Sequence, residues 1–205
     1  MLRVLGKAAS INVRKVLWTL DEVGLAHERE DWGSGFRPTT DPAFLALNPR
    51  ALVPVLVDGD TVLVESNTIC RYLAAKAGRH DLLPAGPAAR AAVEQWMDWQ
   101  ASDFNNSWRY AFMGLVRNSP DHADPSLIAH SVEEWTRNVG FVAGQLARTG
   151  AYVAGDAFTL ADIVIGLSVG RWLRMPFDKE VPAEISAYLA RLEERPAFRR
   201  HGAFI

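Results

Sequence analysis

The chain has 205 residues, 49% of them hydrophobic and 22% charged, enough for a buried core and too apolar for general disorder. Its 22 Lys and Arg against 24 Asp and Glu leave a formal charge of −2, which removes the basic footprint of a general nucleic-acid binder. The single cysteine, Cys70, excludes a disulfide framework, a cysteine-rich zinc site and a CxxC redox pair.

Leu2–Leu5 is a short apolar strand. Val13, Val16, Leu17 and Leu20 follow at helical spacing, and Gly24 stops that helix. His27–Asp31 is a second, more polar strand, and an irregular segment follows it. Val53–Val57 and Thr61–Val64 flank Asp58-Gly59, a dipeptide favoured in tight hairpins. Ile69, Tyr72 and Leu73 mark a helix that ends at Gly78, and His80–Pro87, with two prolines and one glycine, reads as a linker. Beyond it the periodicity is helical throughout. Val93, Trp96, Met97, Phe104 and Trp108 suggest one long helix, and Trp135, Val139, Val142 and Leu146 a second, stopped by Gly150. A third starts at Thr159, and a fourth carries Ile185, Leu189 and Leu192. These patterns predict an α+β domain over 1–79, a linker over 80–87 and an all-α domain over 88–205. The longest apolar run, near Ile163–Val169, is far short of a membrane span, and no targeting segment is recognised, so the expectation is a soluble cytoplasmic protein.

Three short segments carry chemistry. In Ala51-Leu52-Val53-Pro54-Val55, a proline opens a strand and cannot donate to the ladder. If the Val53–Pro54 bond is cis, the backbone of Val53 is turned outward, where an extended peptide could add to it; a trans proline in a loop is the commoner alternative. Glu65-Ser66-Asn67-Thr68-Ile69 opens a helix directly after a strand. Ser66 there could cap the helix and its N-terminus hold a carboxylate, while Glu65 suits an ammonium group; an ordinary capped helix is the alternative. Ser10 and Asn12 stand where the first strand gives way to the first helix, as anion donors or as plain caps. No G-x-S-x-G elbow surrounds Ser10, so it is a donor rather than a nucleophile.

With the architecture, these segments resemble the cytosolic glutathione transferase superfamily, in its bacterial theta-like type. The resemblance runs from Ser10–Trp18 and Glu22–Leu25 through Phe44–Pro49, Val53–Leu56 and Glu65–Ile69. It continues in Gly155–Asp162, with a capping box of Thr159 and Asp162, and in Arg195-Pro196-Ala197-Phe198. It implies a thioredoxin-like first domain, with a four-stranded mixed sheet and flanking helices, followed by an all-α domain. It implies glutathione as co-substrate, its cysteinyl backbone on Val53 beside Pro54, its γ-glutamyl end on Glu65 and Ser66, and Arg37 among the contacts. Ser10, with Asn12 in reserve, would hydrogen-bond the sulfur, and the thiolate would attack a small hydrophobic electrophile. Ala8 with Ala9, Phe104, Trp108, Tyr110 and Trp172 would line the electrophile pocket, whereas Trp96 and Trp135 suit the core. A homodimer, no metal, no nucleic acid and no membrane partner complete the expectation.

The chain departs from relatives at two places. Leu52 stands where many have a basic residue for the glycyl carboxylate, leaving Arg37, Arg50 or a backbone group to replace it. Asn67 stands where many theta and delta relatives have arginine. Two other readings share the resemblance: a zeta-like glutathione-dependent isomerase, and a non-catalytic glutathione-transferase-like module. A thiol–disulfide role would need a cysteine at the first helix start, and position 10 is serine.

Overall fold

The computed structural model describes residues 1–202. Strand β1 (Leu2–Leu5) pairs in parallel with β2 (His27–Glu30) and antiparallel with β3 (Val55–Asp58), which pairs antiparallel with β4 (Thr61–Leu63). The order is β2-β1-β3-β4, a four-stranded mixed sheet. Gly59 takes φ +58° in the hairpin between Asp58 and Thr61, a conformation that costs glycine little. Helix α1 (Ile11–Val23) buries Val13, Val16, Leu17 and Leu20, and Gly24 ends it at φ +70° with its N–H on Leu20 O. A four-residue helix, α2 (Pro42–Leu45), lies inside the segment expected to be irregular; Asp41 caps it and Pro42 opens it. Helix α3 (Ser66–Lys76) completes the first domain. Strand β3 begins at Val55, two residues later than periodicity suggested, because Val53 and Pro54 lie before the ladder.

The helical domain comprises α4 (Pro87–Trp99), α5 (Asn105–Leu115), α6 (Pro125–Thr149), α7 (Leu160–Leu173), α8 (Ala183–Glu193) and α9 (Pro196–His201). Helices α4 and α5 are joined without a break by a π-helical segment, Gln100–Phe104, so the long helix expected here contains a wide turn. Pro87, the last residue of the expected linker, is the first of α4. Leu82 and Leu83, in the connection before it, are buried, and Leu82 O accepts the N–H of Leu160. At the start of α7, Asp162 accepts hydrogen bonds from Thr159 N–H (2.9 Å), Thr159 Oγ1 (3.2 Å), Val153 N–H (3.0 Å) and Tyr188 OH (3.1 Å). One carboxylate thus ties a helix start, a loop and α8 together.

The domains share one core. Trp18 of α1 is wholly buried with its ring centroid 5.0 Å from Phe198 and 5.9 Å from Phe158. Its Nε1 donates to Glu22, which receives both arms of Arg195 at 2.9 and 2.6 Å. This bidentate pair accounts for the Arg195–Phe198 motif as an interdomain clasp. Deeper in, the buried Lys15 donates to Gln100 Oε1 at 2.6 Å and Asn67 Oδ1 at 3.3 Å. Asn67 Nδ2 donates to Met97 O, and Gln100 Nε2 donates to Ser168 Oγ. The chain of bonds runs through α1, α3, the π turn and α7. Among the described residues no helix is long and apolar enough to cross a membrane.

Candidate functional site

The turn from β1 into α1 sets Ser10 as the N-cap residue, in extended conformation, with no capping hydrogen bond from its side chain. Its hydroxyl is therefore uncommitted to the helix. Across from it, Asn48 organises the loop before β3: Nδ2 donates to Leu52 O at 2.8 Å and Oδ1 accepts from Arg50 N–H at 3.1 Å. Asn48 is buried, and Ala51 beside it takes φ +55°. The Val53–Pro54 peptide bond is cis, the rarer of the two forms considered. Gly6 passes under this loop at φ +149°, where a Cβ would stand 2.5 Å from Val13 Cγ2 and 3.0 Å from Val53 Cβ.

Two cavities meet at Leu52 and Val53. The smaller, about 80 Å³, is lined by Asn12, Arg50, Pro54, Glu65 and Ser66 as well. Glu65, not Ser66, occupies the N-cap position of α3, with φ +67° and no capping bond; Ser66 is the first helical residue. The expected Ser66 cap is thus replaced, because the backbone turns out of the helix one residue earlier. Non-glycine residues at positive φ are uncommon and cluster at ligand clamps; here Ala51 and Glu65 flank the two cavities. The Glu65 carboxylate is exposed and pairs with Arg50 Nη1 at 2.5 Å.

The larger cavity, about 360 Å³, lies between the domains, with Lys7, Ala9, Ser10 and Thr39 on one side and Arg117 and Arg171 on the other. Its described lining holds three cationic side chains and no acidic one. Arg171 is 3% exposed, and its guanidinium carbon lies 4.6 Å from the Trp108 ring centroid and 4.4 Å from that of Phe112. Burial, with Arg14 and Arg117 nearby, lowers its pKa to about 9.

Ser10, Asn12, Val53, Pro54, Glu65 and Ser66 are thus brought together around two adjoining cavities. Arg37 is not among their lining residues: its guanidinium stacks 3.8 Å above Trp32 and pairs with Asp41 at 3.8 Å. Of the basic candidates near Leu52, Arg50 is the one on a cavity wall. Ala9 rather than Ala8 lines the larger cavity. Phe104 and Trp172 are wholly buried in the helical core, and Tyr110 packs 4.9 Å from the His122 ring. Trp108 lies behind Arg171 rather than on the cavity wall. Core packing claims Phe104, Trp108 and Trp172 because the same helical face serves core and cleft alike. Trp135 is buried as expected, whereas Trp96 is half-buried and lines a separate groove between α4 and α6 with Trp99 and Phe141. Lys7, Arg117 and Arg171 were not singled out from the sequence. Only Arg171 carries a signal there, as a charge within the apolar α7.

Comparison with known proteins identifies the family and the fold. Residues 9–76 match the family model for the glutathione S-transferase N-terminal domain. The chain is 37% identical to glutathione S-transferase GstB of Escherichia coli K12 over 202 residues, 98% of this chain and 97% of that protein. It is 35% identical to glutathione S-transferase 3 of Zea mays, over 100% of this chain and 94% of that protein. Among solved structures, the theta class glutathione S-transferase of Xanthomonas axonopodis pv. citri with glutathione bound superposes with a TM-score of 0.92. It is 36% identical and covers 100% of this chain and 98% of that one. The chain belongs to the cytosolic glutathione transferase superfamily of enzymes.

Proposed function

We propose that the protein binds glutathione across the two cavities and conjugates its sulfur to a small electrophile. The cysteinyl backbone pairs with Val53, which with Leu52 lines both. The γ-glutamyl end enters the smaller cavity, with its ammonium on Glu65 and its carboxylate at Ser66 and the α3 N-terminus. Arg50, beside Glu65, meets a carboxylate of the ligand in place of the absent basic residue at Leu52. The sulfur then points toward the larger cavity, and Ser10 donates a hydrogen bond to it.

The observation that carries this reading is the uncommitted Ser10 hydroxyl on the cavity wall that Val53 shares. A free thiol near pKa 8.5 is only a few per cent ionised at pH 7; stabilising the thiolate by ~2 units raises its population more than tenfold, for ~2.7 kcal/mol. Asn12 faces the smaller cavity and suits the γ-glutamyl end better than the sulfur. Retention on glutathione resin tests binding, and conjugation of a model aryl halide tests chemistry. Ser10→Ala is expected to slow conjugation at least about tenfold, and Asn12→Ala to slow it less. Failure to bind millimolar glutathione sinks the reading; equal rates for Ser10→Ala and the parent sink the role of Ser10.

We infer in addition a cytoplasmic homodimer in which the first domain of one subunit faces the helical domain of the other. Light scattering that gives the mass of one chain refutes it.

A further inference from the structure

Every charge that glutathione carries finds a place on the first domain in the reading above, yet the larger cavity has two further cations on the helical domain. Arg171 lies on α7 and Arg117 just beyond α5. Among the described residues the Arg171 guanidinium makes no hydrogen bond and no ion pair, and its Nε is buried without a partner. Its neighbours are two aromatic faces and two like charges, Arg14 and Arg117. Ring faces contribute about 0.5–2 kcal/mol to a cation, well below what taking one out of water costs. Buried arginines are normally paired. Here no counterion stands among the described residues, and the open side of the guanidinium is the cavity.

We propose that Arg171, assisted by Arg117, forms an anion subsite for the second substrate, and that the electrophile carries a carboxylate. A carboxylate matches the two-pronged donor geometry of guanidinium, and the cavity of about 360 Å³ suits a small ring bearing one. This rests on the transferase reading. The electrophile would lie with its charged end on α7 and its reactive carbon toward Ser10. The thiolate sulfur forms the new C–S bond, the leaving group departs with the electron pair of its bond to carbon, and the thiol proton has already passed to solvent.

The test pairs 4-chloro-3-nitrobenzoate with its methyl ester, each conjugated to glutathione with loss of chloride, and each rate divided by its uncatalysed rate. The carboxylate is expected to show a kcat/KM advantage of about tenfold or more, the size of a charged hydrogen bond. Arg171→Met should abolish that advantage, Arg171→Lys should keep part of it, and Arg117→Ala, at an exposed position, should reduce it without risk to the core. No advantage in the parent, or an equal advantage in Arg171→Met, overturns the proposal. So does a defect in Arg171→Met confined to the KM for glutathione, since the arginine would then serve the tripeptide. Calorimetric titration of the glutathione-free protein with unreactive 3-nitrobenzoate separates the two readings. Binding weakened about tenfold or more by Arg171→Met supports the subsite even if neither aryl chloride is conjugated, and that failure would fall on the transferase reading alone. Absence of binding overturns the subsite.

Discussion

Lys15 offers a prediction whose sign is set by burial. Its side chain is 2% exposed and donates to Gln100 and Asn67, neither of which is charged. Burial lowers its pKa from 10.5 to about 7; Arg171 on α7 pushes the same way, while Cys70 and Glu65 oppose it. Below pH 7 the lysine is protonated in both folded and unfolded chains, and the folded state bears the full cost of a buried ammonium. Between about pH 7 and 10.5 it is neutral when folded and protonated when unfolded. The unfolded chain then binds one more proton, so stability rises with pH by about 1.4 kcal/mol per unit. From pH 7 to 9 that is about 3 kcal/mol, or roughly 6–12 °C in Tm for a chain of this size. Lys15→Met removes the titrating group and keeps an unbranched stem. It leaves Gln100 Oε1 and Asn67 Oδ1 without their donor, at about 1–3 kcal/mol each whatever the pH. Thermal denaturation of both proteins at pH 6, 7, 8 and 9, at one protein concentration, should show the parent gaining on the variant above pH 7. Parallel curves would refute a buried, low-pKa lysine between the domains.

Three further outcomes follow from the site. Glu65→Gln removes the charge offered to an ammonium and should raise the KM for glutathione about 10- to 100-fold, with a smaller rise for Arg50→Ala; steady-state kinetics at varied glutathione checks both. Gly6→Ala forces a side chain into a positive-φ position against Val13 and Val53. It should cost about 2–5 kcal/mol in urea denaturation and weaken glutathione binding, and an unchanged midpoint would contradict the close approach of Gly6 to the Val53 loop. Burial pushes the Cys70 thiol up to about 11, so Ellman's reagent at pH 8 should leave the folded protein unmodified and react on unfolding in guanidinium. Rapid reaction of the native protein would contradict the burial of Cys70.

The two halves of the site differed in how far the sequence revealed them, for a physical reason. The proposed glutathione side is made of contiguous segments at strand–helix junctions, where Pro54, Glu65-Ser66 and Ser10 each leave a local chemical mark. Even there, details depended on distant partners. Arg37 was drawn onto Trp32 instead of a cavity, and Glu65 took the cap position through a positive φ that residue type does not announce. The proposed electrophile side is assembled by packing helices far apart in sequence, and periodicity reports only which face is buried. Tryptophan carries no further information, since a ring is as much at home in the core as in a cleft. Trp18, Trp32, Trp108, Trp135 and Trp172 are core, while Trp96 and Trp99 face another groove. Charge is the better guide. An arginine inside the apolar helix Leu160–Leu173 costs free energy that packing does not return. Asp162, the other ionisable group in that helix, is tied down by four hydrogen bonds. Among the described residues Arg171 has none, and the difference between the two marks one as structure and the other as the wall of the proposed binding site.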